Sequence, residues 1–527
     1  MVECEFHASI ELRKNMRPAS RIRRLVIFIL CAITSTALNA FAMDCRKLAE
    51  LKLPNAVITM AALVPAGTFV LPPGVPIGPS VDFKTLPAFC RVAVTTRPTA
   101  DSEIKFEVWM PESNWNGKFE GTGNGGWLGE IIYPALAEGL RRGYAVANTD
   151  TGHEGGVMDG SWALGHPEKV VDFGWRAVHL MTVEGKVIAS TFYDKHLKYA
   201  YWNGCSSGGK QGLKEAQQFP EDYNGIVAGA PANYWTHLTA ASVWMGIQTL
   251  KDQASYIPRE KYLLIHKAAI AACDSVDGIK DGLIDDPRKC HFDPKTLQCN
   301  GPDTPNCLTA AQVDTARKVY GPATTAHGVK FFPGLEPGSE LVWGFLLGGP
   351  EPTRIGSDYY TYILHKDPHW NPRTMDFDQD VPAADKLDHG TINAIDPDLR
   401  RFKGRGGKLI MYHGWTDALI PSQNSVNYYE SVVKTMGGAT TTDFFRLFMV
   451  PGMDHCFGGE GPNRFDALQA LEHWVEDGQA PDVIVASHST AGKEDRTRPL
   501  CVYPKVAKYQ GRGSIDEAAN FACSDPN

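Results

Sequence analysis

A chain of 527 residues is longer than one minimal core requires, which points to two structural units or to one large core carrying an insertion. Its 43% hydrophobic and 21% charged residues exclude a disordered polymer. A net charge of −8, with no basic cluster beyond the N-terminal region, excludes a general nucleic-acid binder.

The N-terminus reads as an address. Arg21, Arg23 and Arg24 precede the apolar run 25–33, and small residues follow up to Ala40-Phe41-Ala42, an A-x-A cleavage signal. The stretch before Arg21 is long and polar, so the start is either Met1 or Met16. An uncleaved anchor fits less well, because the apolar run is short and is interrupted by Thr34, Ser35 and Thr36. Residues 1–42 are therefore expected to be a signal peptide, giving a secreted or periplasmic protein with no stable membrane insertion after cleavage. Cleavage removes Cys4 and Cys31 and leaves an even set of cysteines, which in an exported chain implies disulfides. No C-x-x-C pair supports a zinc or redox site. Proximity suggests the pairs Cys273–Cys290, Cys299–Cys307 and Cys501–Cys523.

Strand-like alternation at 104–110 is followed by a Trp115-Asn116-Gly117 turn and a second strand running into Gly121-Thr122-Gly123-Asn124-Gly125-Gly126. Further strands are expected at 144–148, 199–203 and 225–228, with helices at 177–192 and 210–218. The pattern fades after Pro231 and resumes with strands at 408–413 and 444–450 and helices at 422–434 and 465–475. Strands alternating with helices mean a parallel sheet with helical crossovers. Residues 232–402, rich in Pro, Gly, Asp and aromatics, are too many for a loop and read as an inserted lid domain. The two halves of the sheet domain are then 43–231 and 403–527.

Gly204-Cys205-Ser206-Ser207-Gly208 matches G-x-S-x-G between a strand and a helix, the setting of a nucleophile elbow. A nucleophilic serine needs a base, and the base needs an orienting carboxylate. Asp417 and His455 follow the next two strands, in the order Ser, acid, His of the α/β-hydrolase fold, at the carboxyl ends where ligands meet open parallel sheets. Taken singly, Asp417 is better explained as a turn residue or a cap of the helix near Ser422, and His455 as a loop histidine; their shared placement sets them apart. Cys205 precedes Ser206 and Cys456 follows His455. If His455 reaches Ser206, a Cys205–Cys456 bond becomes geometrically accessible and ties nucleophile to base. The oxyanion hole is expected to use the N–H groups of Ser207 and of Gly123 in the glycine-rich loop.

Within the insertion, Cys273-Asp274-Ser275-Val276-Asp277-Gly278-Ile279-Lys280-Asp281-Gly282-Leu283-Ile284-Asp285 concentrates carboxylates. Asp274, Asp277 and Asp281, with the carbonyls of Ile279 and Leu283, suit a calcium ion; a solvated acidic turn explains the spacing equally well.

These residues resemble the tannase and feruloyl esterase family. The likeness rests on Gly204-Cys205-Ser206-Ser207-Gly208-Gly209, Gly225-Ile226-Val227-Ala228-Gly229-Ala230-Pro231, Asp417 and Val450-Pro451-Gly452-Met453-Asp454-His455-Cys456, and runs from about Cys45 to Cys523. It implies an α/β-hydrolase with a large lid, the triad Ser206, Asp417 and His455, and a structural calcium in the lid with no organic cofactor. It also implies the disulfides Cys45–Cys90, Cys273–Cys290, Cys299–Cys307 and Cys501–Cys523. The substrates implied are small aromatic esters, namely feruloyl, chlorogenic or galloyl. The chain is also similar to bacterial hydrolases of mono(2-hydroxyethyl) terephthalate. It departs from them in having Ser207 after the nucleophile and no clear lid arginine beyond Arg354, which argues against terephthalate monoesters. The rival readings are a peptidase or lipase of the same fold, and a non-catalytic extracellular binding protein.

Overall fold

Nine strands form the central sheet of the computed structural model, which describes residues 43–73, 81–347 and 352–526. The expected signal peptide at 1–42 lies outside the described residues. The strands are β1 (Ala56–Val64), β2 (Phe89–Thr96), β3 (Ile104–Pro111), β4 (Lys118–Thr122) and β5 (Ala145–Thr149). They continue as β6 (Tyr199–Cys205), β7 (Gly225–Gly229), β8 (Lys408–Gly414) and β9 (Phe445–Val450). Their order is β1-β2-β3-β5-β4-β6-β7-β8-β9. From β5 to β9 every neighbouring pair is parallel. The pairs β1–β2, β2–β3 and β3–β5 are antiparallel. The sheet is thus mixed, and the parallel sheet expected from the sequence describes its C-terminal portion. Connections such as 97–103 between β2 and β3 are too short for the crossover a parallel neighbour needs, so these strands fold back on one another. The arrangement is an α/β-hydrolase sheet.

Strand parity divides the core. Phe106, Val108, Trp202, Ile226, Ala228, Leu409, Met411, Phe445 and Leu447 face one layer. Trp109, Tyr201, Val227, Ile410, Phe448 and Val450 face the other. Both faces are apolar because both are covered by helices, as a sheet with crossovers requires. Helices α1 (Tyr133–Arg141), α2 (Ala177–Tyr193) and α3 (Ser207–Gln218) belong to the first half of the sheet domain. The segment 232–402 carries α4 (Trp235–Thr249), α5 (Tyr262–Cys273), α6 (Ala310–Tyr320) and α7 (Phe377–Asp388). After it come α8 (Gln423–Met436) and α9 (Ala467–Asp477). Helices α2, α3 and α8 contribute to the first layer, α1 and α9 to the second.

The inserted segment builds its own cluster from Met245, Ile265, Val319 and Trp343. A further cluster mixes Trp235, Tyr359 and Tyr360 of the insertion with Trp127 and Phe173 of the sheet domain, which seats the segment on the loops at the carboxyl ends of the strands. Among the described residues no helix is long and apolar enough to cross a membrane.

Trp109 is fully buried and packs against Phe69 and Phe89 at ring-centroid distances of 4.6 and 4.5 Å. Trp109→Ala is expected to lower unfolding stability by about 3–5 kcal/mol, read as a shift in the urea midpoint. A loss well below 1 kcal/mol would show that this layer closes over the gap.

Candidate active site

The elbow is built from close backbone contacts. Ser206 adopts φ 64°, ψ −124° between β6 and α3. Its N–H donates to Gly229 O at 3.0 Å, and its own carbonyl accepts from Ala232 N at 3.1 Å and Lys210 N at 3.0 Å. A Cβ on Gly123 would come within 2.4 Å of Gly208 Cα, and one on Gly204 within 2.6 Å of Gly208 O. Only glycine allows these strands and the helix to approach so closely. The buried Lys210 ammonium donates to the Phe173 and Gly174 carbonyls at 3.3 and 3.4 Å, anchoring α3 from below.

Asp417 follows β8 and is 1% exposed. One carboxylate oxygen accepts the N–H groups of Leu419 and Ile420 at 2.8 and 2.9 Å. The other accepts from His455 Nδ1 at 2.6 Å and from His413 Nε2 at 3.0 Å. Burial opposes ionisation of Asp417, but the charge of His455 and hydrogen bonds from both histidines hold its carboxyl well below the usual range. With Nδ1 donating to Asp417, the Nε2 of His455 carries the lone pair.

His413 is a supporting residue that the sequence reading did not single out. It is fully buried, its Nε2 lies between Asp417 Oδ2 and Ile420 O, and its Nδ1 meets Ser425 Oγ at 2.7 Å. The available signal was a histidine closing β8, four residues ahead of the acid.

Cys205 and Cys456 are bonded with Cα atoms 5.9 Å apart, joining the neighbours of Ser206 and His455 across a separation of 251 residues. On a chain-entropy estimate such a closure stabilises by about 5 kcal/mol. The other four expected pairs, Cys45–Cys90, Cys273–Cys290, Cys299–Cys307 and Cys501–Cys523, are also present.

Ser206 and His455 line one cavity of about 50 Å³. Its walls are Trp235, Leu238, Leu346, Ile355, Leu419 and Ile420, with Thr239 and Ser242 as polar members, and His455 is the one ionisable side chain among the described lining residues. Ser207 borders the cavity and opens α3, so its N–H has no acceptor within the helix. Gly123 is a correction. Its N–H donates to Asn203 O at 3.1 Å, continuing the β4–β6 ladder by one residue, and is not available to an oxyanion. The loop residue that borders the cavity is Gly126. Arg354 pairs with Asp159 at 2.9 Å and Asp358 at 3.4 Å and is not among the lining residues.

The acidic loop after α5 folds back on itself. Asp274 Oδ1 accepts the N–H groups of Asp281 and Gly282, Asp277 Oδ1 that of Ile279, and Asp281 Oδ1 that of Leu283, all at 3.0–3.2 Å. Burial pushes the Asp277 carboxyl up, the Ile279 N–H opposes this, and the charges of Asp281 and Asp274 add to it. Two groups beyond the expected set join here. Asp285 is pushed up to about 7 by burial and then by the charge of Asp277, and Arg498 pairs with Asp281. A cavity of about 80 Å³ opens beside Asp277 and Asp285. The loop therefore holds more negative charge than Arg498 neutralises, and its oxygen donors fit a hard cation.

The family model for tannase and feruloyl esterase matches residues 90–347 and 354–524. An uncharacterised esterase of Xanthomonas campestris is 36% identical, the match covering 95% of each chain. A probable feruloyl esterase B of Aspergillus clavatus is 35% identical over 95% of this chain and 99% of its own. The crystal structure of feruloyl esterase B from Aspergillus oryzae superposes with a TM-score of 0.85 at 32% identity, covering 91% of this chain and 99% of that one. The tannin acyl hydrolase of Aspergillus niger shares the fold, with a TM-score of 0.76 at 22% identity over 90% and 92% of the two chains. This chain belongs to the tannase and feruloyl esterase family and is a serine-type carboxylic-ester hydrolase.

Proposed function

We propose that the protein hydrolyses esters of uncharged aromatic acids, of the feruloyl, chlorogenic or galloyl kind, by two-step acyl transfer. The observation that carries this reading is the Asp417–His455 hydrogen bond, which aims His455 into the cavity that Ser206 also lines. His455 Nε2 takes the Ser206 proton as the hydroxyl attacks the ester carbonyl. The N–H groups of Ser207 and Gly126 receive the oxyanion. His455 then protonates the departing alcohol and activates water to release the acid. His413 holds Asp417 in place and does not touch substrate.

The lining favours an apolar ring without a second carboxylate. Among the described lining residues no cation faces the acyl group, and Arg354 is engaged elsewhere, so a terephthalate monoester lacks its counter-charge. Residues 232–402 act as a lid. Leu346 and Ile355 of this segment form part of the apolar wall of the cavity. The disulfides support export to an oxidising compartment. Asp274, Asp277, Asp281 and the carbonyls of Ile279 and Leu283 would hold a calcium ion, which would neutralise their charge and fix the loop.

Hydrolysis of methyl ferulate, methyl gallate and chlorogenate tests the reading. At least one is expected to be cleaved, with Ser206→Ala lowering kcat by about 10⁴–10⁶-fold. Failure on all three by a protein that a fluorophosphonate still labels would sink the substrate assignment and leave the hydrolase. Asp417→Asn is expected to lower kcat by about 10⁴-fold with little change in KM; a loss below tenfold would remove Asp417 from the machinery. Chelation by EGTA is expected to lower Tm by several degrees in the wild type and not in Asp277→Asn. Equal Tm values with and without EGTA in the wild type would reject the calcium.

A further inference from the structure

Away from the elbow, the far end of α3 carries a second cluster of chemistry-bearing groups. His179 in the first turn of α2, Glu215 in the last turn of α3 and Asp222 in the following loop each place one ligand atom within 4.8 Å of the others. Asp222 Oδ2 lies 2.6 Å from His179 Nδ1. Glu215 is the anomaly. It is 1% exposed, and neither carboxylate oxygen has a hydrogen-bond partner. Burial, the charge of Asp222 and the hydrogen bond that a protonated Glu215 would give Asp222 push its carboxyl well up, with Lys186 opposing them. Lys186 is the cation nearby, but its ammonium is directed to the Asp222 backbone carbonyl. The ring of Phe219 stacks on His179 at 3.9 Å and orients it. A buried carboxylate with no partner in a native fold points to a missing ion or water.

We propose that His179, Glu215 and Asp222 form a binding site for a divalent transition metal ion, with zinc the natural occupant. The donor set decides the class. Calcium and magnesium take oxygen ligands, whereas one imidazole with two carboxylates is a set for zinc or its neighbours. The ion takes the place of the hydrogen between His179 Nδ1 and Asp222, and the imidazole that binds it keeps its one proton on Nε2. His179 is partly exposed, which leaves a side open to solvent for water to complete the coordination. The bound ion braces α3, whose other end carries the nucleophile elbow, against α2. The proposal does not depend on the substrate.

The experiment uses the mature protein stripped with chelator and then saturated with calcium, so that the acidic loop is filled. Zn²⁺ is titrated by calorimetry, and Co²⁺ by visible absorption. One equivalent is expected to bind, with cobalt bands typical of nitrogen and oxygen ligands. Glu215→Gln, which keeps the side-chain shape, and His179→Ala are each expected to weaken binding at least about tenfold. Retained ester hydrolysis shows that each variant is folded, and should His179→Ala fail to fold, Glu215→Gln decides alone. No Co²⁺ uptake by the wild type, or undiminished uptake by the folded variants, overturns the site.

Discussion

Everything at the catalytic end of the molecule depends on one backbone contact, where the turn at Ser206 packs against Gly123. A serine at positive φ is strained by about 1–3 kcal/mol. It persists because β7, α3 and the segment after β7 each hydrogen-bond to that residue. The contact also explains the neighbouring glycines at 123, 204 and 208, where an added methyl would lie within 3 Å of backbone. With the turn fixed, Ser206 stands at the carboxyl edge of the sheet, and the residues following β8 and β9 are brought to it by strand order.

The second constraint is electrostatic. Asp417 is a buried anion made tolerable by four donors, two from backbone and two from histidines. This arrangement selects one tautomer of His455 and orients its ring. The Cys205–Cys456 bond acts on the same geometry through the chain, limiting how far the histidine loop can drift from the nucleophile. The acidic loop near Asp277 answers the same requirement differently, since Arg498 meets only part of its charge.

Family membership sets the reaction class, and residues 232–402 contribute part of the wall of the cavity at Ser206. That wall is apolar and meets the sheet domain through the cluster around Trp127, Phe173 and Trp235. The polar network at His179, Glu215 and Asp222 is no part of that wall and bears on how firmly α3 is held.

Local pattern determined much of this protein. Strands 104–110, 199–203, 225–228 and 408–413 and helix 177–192 were legible because apolar periodicity and turn residues are properties of neighbours in sequence. The nucleophile, acid and base were legible because each follows a strand, and the Cys205–Cys456 disulfide because its cysteines adjoin two of them. Strands β1 and β2 were not singled out; their partners lie across a sheet edge, and pairing is decided by contacts distant in the chain. Which glycine N–H stays free was equally hidden, since only the β4–β6 register shows that Gly123 donates to Asn203. His413, Asp285, Arg498 and the unpartnered Glu215 took their meaning from burial and from charges brought together by folding. A single sequence records which groups a chain possesses, and only the packed structure decides which of them face one another without water between.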